Sequence, residues 1–125
     1  MERTRLAYRM KALLEAGLEV AASTDAPVVS ANPILNVHDM VNRRTAGGAA
    51  FNPDERITVA QAVRAYTAGS AYAAHQEHEK GCITTGMLAD FAVLSQDLFT
   101  IAAEEIAATT VTATVVGGVL ASGDI

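Results

Sequence analysis

The chain has 125 residues, of which 50% are hydrophobic and 18% are charged, a composition that argues for a packed globular fold and against a disordered chain. The net charge of -5 argues against a nucleic-acid partner, because proteins that bind nucleic acid need a basic face that displaces counterions from phosphates. Cys82 is the single cysteine, so an intramolecular disulfide is excluded and a cytoplasmic location is favoured.

A membrane partner is not expected either. The sequence shows no cationic start followed by an apolar stretch, so it predicts no signal peptide. Residues 106–121 form the most apolar stretch, but threonines and glycines interrupt it, and it is shorter than the about 20 apolar residues that a membrane span needs. We therefore expect a soluble protein.

The first predicted elements are a helix and a buried strand. Apolar residues recur at helical spacing over residues 4–16, and Gly17 follows at the position where a left-handed residue would end the helix. Residues 18–22 are apolar except for Glu19, which is typical of a strand buried on both faces of an α/β sheet. The basic residues in and beside this helix are expected to form its solvated face: Arg3, Arg5, Arg9 and Lys11.

A polar loop, residues 23–27, follows the predicted strand and is closed by a proline. Loops after parallel strands are where α/β enzymes place their working residues. A second helix is predicted to begin after the Asn-Pro pair at 32–33 and to end at the glycine pair at 47–48. The arginine pair at 43–44 lies near its end, where cations suit the helix dipole.

A third helix is predicted from a capping pattern. Thr58 followed by Gln61 forms a capping box, and Ile57 stands in the hydrophobic staple position before it. Apolar residues at helical spacing continue this helix to Tyr66, and a further helical turn or two is expected over residues 70–75.

Beyond about residue 80 the spacing of apolar residues changes from helical to strand-like. Residues 91–94 form a short apolar strand, and residues 111–115 alternate apolar side chains with threonine, which predicts a half-buried strand. The glycine pair at 117–118 predicts a tight hairpin turn, after which residues 119–121 resume the strand.

A family resemblance lies in this same region. Residues 80–94, K-G-C-I-T-T-G-M-L-A-D-F-A-V-L, resemble the K-G-x-I-x-x-G-x-x-A-D-x-x-V-L signature of the amidohydrolase superfamily. Physically the pattern describes a hairpin in which Gly81 and Gly86 allow turn conformations and Asp90 opens the outgoing strand. In the family this segment belongs to a small β-sandwich beside the barrel, so the resemblance implies a structural role for it.

Three further segments match in the same order. Residues 22–28, A-S-T-D-A-P-V, resemble the G-S-D-x-P-V loop after the eighth barrel strand in the exoenzyme-like and N-acyl amino-acid amidohydrolase branch, although Ala22 and Thr24 depart from it. Residues 64–74 resemble the A-Y-T-x-x-x-A-x-A helix pair of that branch, and residues 115–120 resemble its closing V-x-G-x-x-V strand.

The resemblance implies an α/β fold: the carboxy-terminal fragment of a (β/α)8 barrel, with the last strand and following helices, plus part of a small β-sandwich. Residues 1–79 would be the barrel part and residues 80–125 the sandwich part. The family's metal site uses an H-x-H pair after the first strand, often a modified lysine, two later histidines and an aspartate after the eighth strand. Asp25 alone has a counterpart here, so most of the site is missing.

Asp25 is therefore the candidate catalytic and metal-binding residue. By resemblance it would bind a divalent metal, zinc by family type, and take a proton from the metal-bound water that attacks a small-molecule amide at its carbon-nitrogen bond. The alternative is a loop aspartate that only caps a backbone turn. Pro27 and Val28 would shape the wall of the substrate pocket, and the substrate itself cannot be read from the sequence.

The other candidate residues are interpreted structurally. On a helix, His75 and His78 would present two imidazoles on one face, flanked by Glu77 and Glu79, but no third ligand follows, which favours a solvated or capping role. The same holds for the remaining candidates: His38 lies alone in a helix, Cys82 has no nearby histidine, and Tyr66 and Tyr72 are expected to pack.

A rival hypothesis belongs to a different class. The chain is then a free-standing binding or assembly module that reuses the fold without catalysis. A barrel strand without its neighbours exposes edges and apolar surface that another chain tends to cover, so a homo-oligomer is expected. Under the enzyme hypothesis the chain alone is expected to be inactive, because one carboxylate does not build a metal site.

Overall fold

Helices occupy the first part of the chain and a small sheet occupies the last. The computed structural model describes residues 3–125. Its α-helices are α1 (Met10–Glu15), α2 (Pro33–Asn42), α3 (Val59–Tyr66) and α4 (Ala68–Ala73), and its strands are β1 (Phe91–Leu94), β2 (Val111–Val116) and β3 (Val119–Gly123). Short 3-10 helices lie at Arg3–Leu6, Pro53–Glu55 and Ala103–Ala108.

Helix α1 is shorter than the helix predicted over residues 4–16. Tyr8 has a positive φ of 54°, which separates the 3-10 helix at Arg3–Leu6 from α1, so the expected basic helical face is not formed. The predicted end is confirmed: Gly17 is left-handed with φ of 78°. Its N–H donates to the Leu14 carbonyl and the Leu18 N–H to the Leu13 carbonyl, the paired bonds of a Schellman motif.

The strand predicted over residues 18–22 is not formed. Among residues 3–125 no part of this segment joins a β-ladder, and Leu18 is 55% exposed whereas Val20 is buried. A strand is made by hydrogen bonds to a neighbouring strand, and the part of the chain that the structure describes contains no parallel strand to provide them. The fold is α/β, and the barrel fragment remains a prediction.

Helix α2 begins as predicted and ends earlier. The Asn32 side chain accepts a hydrogen bond from the Ile34 N–H at 3.0 Å, and proline occupies the first turn. The helix ends at Asn42 because Arg43 adopts a left-handed conformation with φ of 51°. The glycine pair at 47–48 instead belongs to a turn closed by a bridge between Arg44 and Ala50.

The capping box of α3 is confirmed. The Thr58 hydroxyl accepts from the Gln61 N–H at 3.2 Å, and the Gln61 side-chain oxygen accepts from the Thr58 N–H at 2.9 Å. Helix α4 follows almost at once after Thr67 and ends at Ala73, so it begins and ends before the range expected from the sequence.

The core joins the helices to the carboxy-terminal region. Ile106, from the 3-10 helix between β1 and β2, is fully buried, and Asn42 at the end of α2 donates from its amide to the Ala103 carbonyl at 2.8 Å. The core therefore draws on residues from both predicted parts of the chain. Its buried members are Ile34, Val37, Ile57, Ala62, Leu98 and Ile106.

The three strands form one antiparallel sheet in the order β1-β2-β3. Val116 pairs with Val119 across the predicted glycine hairpin, which is confirmed, and both glycines have positive φ. Asp90 accepts a hydrogen bond from the Gly117 N–H at 2.7 Å, so the aspartate of the signature ties β1 to this turn. Within residues 3–125 no helix is long and apolar enough to cross a membrane.

Candidate functional site

Asp25 lies in a tight turn after residues 18–22. Its backbone is left-handed, with φ of 57°, its N–H donates to the Ser23 hydroxyl at 3.2 Å, and its carbonyl accepts from the Val28 N–H at 2.9 Å. Within the described residues the Asp25 carboxylate makes no hydrogen bond and no ion pair, and the residue is exposed. The turn uses backbone groups for its own closure and leaves the carboxylate available.

Helices α3 and α4 hold the segment that precedes this turn. The Ala22 N–H donates to the Ala65 carbonyl at 3.0 Å, and the Ser70 hydroxyl donates to the Ala22 carbonyl at 3.1 Å. Gly69 allows the closest approach: a Cβ there would lie 2.1 Å from the Val20 carbonyl oxygen. Contacts with α3 and α4 thus hold this segment, whereas neighbouring strands would hold it in a barrel.

Asn36 of α2 braces the turn from the opposite side. Its amide group donates to the Ser23 carbonyl at 3.2 Å and to the Tyr66 phenol oxygen at 2.7 Å. Burial raises the pKa of the Tyr66 phenol, while the hydrogen bond from Asn36 acts in the opposite direction. One side chain therefore connects α2, α3 and the loop that carries Asp25.

A cleft of about 510 Å³ opens beside this turn. Asp25 and Val28 line it, but Pro27 does not, so only one of the two residues expected at the pocket wall reaches the cleft. The loop itself contributes further lining residues, Ala21, Ala22, Ser23, Thr24 and Val29. The others come from the start of α1 and the residues before it, from α2 and α3, and from the turn after α2: Tyr8, Met10, Asn36, Asp39, Met40, Arg43, Arg44, Phe51 and Tyr66.

The described residues do not fit a complete metal site. No group of three or more histidine, cysteine, aspartate or glutamate side chains within residues 3–125 is placed to hold a metal ion. A catalytic zinc site uses about three protein ligands, whereas the cleft offers the carboxylates of Asp25 and Asp39 alone. Any metal held at Asp25 would need ligands from outside the described residues.

The histidines stay apart from the cleft. His75, with a positive φ of 56°, follows the end of α4, so it does not share a helix with His78, whose side chain is 93% exposed and lies 3.8 Å from Glu77. His38 contacts the Asn42 amide at 3.1 Å within α2. These positions agree with the solvated or capping roles expected for them.

Two expectations about the remaining candidates are changed. Tyr72, which was expected to pack, is 53% exposed, whereas Tyr66 packs against the core and also lines the cleft. Sequence reasoning did not identify Asn36 or the burial of Arg43. The arginine pair was interpreted as a favourable helix end, and nothing in the pattern shows that one arginine is buried and the other exposed.

Comparison with known proteins assigns the chain to a family. The profile of the amidohydrolase family matches residues 1–121. YtcJ of Bacillus subtilis (strain 168), whose name designates it an amidohydrolase, is 32% identical over 120 residues, which are 94% of this chain and 23% of that protein. The N-substituted formamide deformylase of Arthrobacter pascens is 34% identical over 113 residues, 90% of this chain and 21% of its own length.

A plant protein is similar as well: LONG AFTER FAR-RED 3 of Arabidopsis thaliana is 34% identical over 112 residues, 89% of this chain and 19% of that protein. No solved structure matches the chain. The chain spans 19% to 23% of the length of these curated relatives. Since the family profile covers nearly all of its residues, the chain belongs to the amidohydrolase family.

Proposed function

We propose that this chain is the carboxy-terminal part of a metal-dependent hydrolase that cleaves carbon-nitrogen bonds in small-molecule amides. The single observation that carries the proposal is Asp25, an exposed carboxylate without a partner among residues 3–125, held on a braced turn at a cleft of about 510 Å³. An aspartate that only caps a turn would direct its carboxylate to a backbone N–H, and Asp25 does not.

In this proposal the chain supplies one ligand and the remainder of a longer protein supplies the others. Asp25 contributes a carboxylate to a divalent metal, zinc by family type, and Val28 forms part of the substrate wall. The chain by itself is inactive. A cytoplasmic setting suits the exposed free thiol of Cys82.

A chimera tests the role of Asp25. The N-substituted formamide deformylase of Arthrobacter pascens receives this chain in place of its matching segment, and hydrolysis of an N-substituted formamide and bound metal are both measured. We expect Asp25→Asn to lower turnover by about 100-fold or more and to reduce the metal content. Asp54→Asn is the matched control, because Asp54 is exposed and does not line the cleft, and it should change neither.

The 125-residue chain alone provides the complementary test. It should show no amide hydrolysis with added zinc, because the described residues hold too few ligands. If the isolated chain hydrolyses an amide and Asp25→Asn abolishes this activity, the proposal that the metal site is shared with the rest of a longer protein is overturned. An Asp25→Asn chimera that keeps full activity and metal would refute the role of Asp25.

A second candidate function, a non-catalytic assembly module, is favoured by the exposed apolar surface of the sheet. Val119 is 69% exposed, Val116 is 56% exposed, and every residue of the edge strand β3 is exposed. Such a surface is typical of one that another chain covers. This proposal expects a homo-oligomer at micromolar concentrations, and sedimentation showing a single monomeric species would count against it.

A further inference from the structure

Arg43 is a buried cation that forms no ion pair within the described residues. It is 6% exposed. Its Nε donates to the Asn52 carbonyl at 3.5 Å and its Nη2 to the Ala7 carbonyl at 3.4 Å, both long for hydrogen bonds. Its Nη1 has no hydrogen-bond acceptor among the described residues.

The nearest compensating groups are weak ones. The guanidinium lies over the Phe51 ring at 5.2 Å from its centre, a cation-π contact. Glu55 acts on Arg43 through its charge, but that carboxylate already accepts hydrogen bonds from Arg9 and from the Ala12 N–H. Burial lowers the pKa of Arg43, and the charge of Glu55 acts in the opposite direction.

Arg43 lines the cleft and keeps one nitrogen without a partner among the described residues. Across the described part of the chain, Glu77 Oε2 is the one fully buried side-chain nitrogen or oxygen without a hydrogen-bond partner. Nη1 of Arg43 is therefore not sealed from solvent, and Arg43 lines the same cleft as Asp25. A largely buried guanidinium that lines a cleft and has a donor without a partner can donate to an acceptor on a ligand bound there.

The other residues that line the cleft indicate what kind of ligand it would hold. Apolar side chains from three separate parts of the chain face the cleft, and its volume of about 510 Å³ suits a small molecule. Aromatic and thioether groups bind an apolar or aromatic body by contact. These side chains are Tyr8, Met10, Met40 and Phe51.

We propose that this cleft binds a small organic carboxylate with an apolar body, whose carboxylate accepts a hydrogen bond from Nη1 of Arg43. The exposed Arg44 adds a second positive charge at the rim. The proposal concerns binding alone, so it stands or falls independently of the hydrolytic function assigned to Asp25. The carboxylates of Asp25 and Asp39 line the same cleft and oppose an anion, which sets the sign of the variants below.

The test titrates the 125-residue chain with 3-phenylpropionate and, as a neutral match, with 3-phenylpropanamide, following both by isothermal calorimetry and amide chemical shifts. We expect the carboxylate to bind about tenfold more tightly than the amide, because the charge-assisted bond is absent from the amide. Arg43→Gln should remove this preference, whereas Arg44→Gln should reduce it by about twofold, because its charge is solvated.

A second variant keeps the test decisive if Arg43→Gln does not fold. Asp39→Asn removes a like charge from the cleft and should tighten carboxylate binding by about two- to threefold without changing amide binding. Asp54→Asn, whose charge lies away from the cleft, should change neither. Equal affinity for the carboxylate and the amide, or an Asp39→Asn variant without effect on the carboxylate, would overturn the proposal.

Discussion

The carboxy-terminal sheet and the segment before Asp25 contain similar apolar sequence, yet only the sheet forms strands. In the sheet, β2 and β3 are joined by a two-glycine turn, and the Asp90 carboxylate and the Ala89 carbonyl accept from the two glycines. Residues 18–22 have no strand beside them among the described residues and are held by α3 and α4 instead.

An apolar segment that is typical of a strand therefore forms one only where a second strand is available to pair with it. A hairpin carries both strands and the turn within a short stretch, so its ladder closes at low entropic cost. A buried parallel strand requires neighbours from distant parts of a chain. Residues 18–22 have no such neighbours among the described residues. The backbone of Ala22 instead forms hydrogen bonds with groups that pack against it, the Ala65 carbonyl and the Ser70 hydroxyl.

The largest expected effect comes from removing the contact that joins the two regions. Ile106 is fully buried between the sheet and the helices, so Ile106→Ala should lower the free energy of unfolding by about 3 kcal/mol through lost burial and a cavity. Ile106→Val, as the smaller deletion, should cost about 1 kcal/mol. Chemical denaturation measures both, and two separate transitions in the unmodified chain would break the idea of a shared core.

The next largest loss of stability is expected in the helical region and not in the sheet. In Gly69→Ala the added Cβ would lie 2.1 Å from the Val20 carbonyl oxygen, so α4 or the segment must shift, at a cost of about 2 kcal/mol. Gly47→Ala is the matched control, since its Cβ would meet only the Thr45 hydroxyl at 3.9 Å. Hydrogen exchange should show lost protection around residues 20–22 and unchanged protection in β2, and a uniform loss would contradict this.

A smaller loss of stability is expected from removing a local signal, the capping box of α3. Thr58→Ala removes the capping box of α3 and should cost about 1 kcal/mol, because the Gln61 N–H loses its acceptor. Thr85, exposed and outside any helix, provides the control Thr85→Ala. Equal thermal unfolding of the two variants would show that packing, not capping, sets where α3 begins.

The smallest effect is a dependence on pH. Glu55 accepts from the Ala12 N–H at 3.0 Å, which is the main cause lowering the pKa of its carboxyl from 4.5, with Arg9 adding to it. The stability from this carboxylate is therefore present above 4.5 and is lost as the pH falls through the lowered value. Compared with Glu55→Gln, the unmodified chain should be more stable at neutral pH, and the difference should shrink below pH 4.5.

Urea denaturation from neutral pH down to about pH 3 measures this difference. Glu104→Gln is the control, because Glu104 is exposed and makes no hydrogen bond or ion pair in the part of the chain that the structure describes. A difference between Glu55→Gln and the unmodified chain that grows as the pH falls would have the wrong sign and would contradict the assignment.

The elements whose causes are local could be predicted from the order of the residues. The start of α2 at the Asn-Pro pair, the capping box at Thr58, the left-handed Gly17 and the glycine hairpin were all predicted from a few neighbouring residues and are confirmed. The same holds for the family, because its signature lies within one continuous segment of the chain. Local hydrogen bonds and backbone preferences are written in short stretches of sequence.

Contacts between distant residues, in contrast, are set by the tertiary structure. It replaced the predicted strand by a segment held on helix backbone, connected Asn36 to Ser23 and Tyr66, and enclosed Arg43 while leaving Arg44 exposed. Each of these outcomes depends on which surfaces bury one another. Burial is a property of the packed whole and follows the sum of contacts made by all elements together, so no single stretch of sequence specifies it.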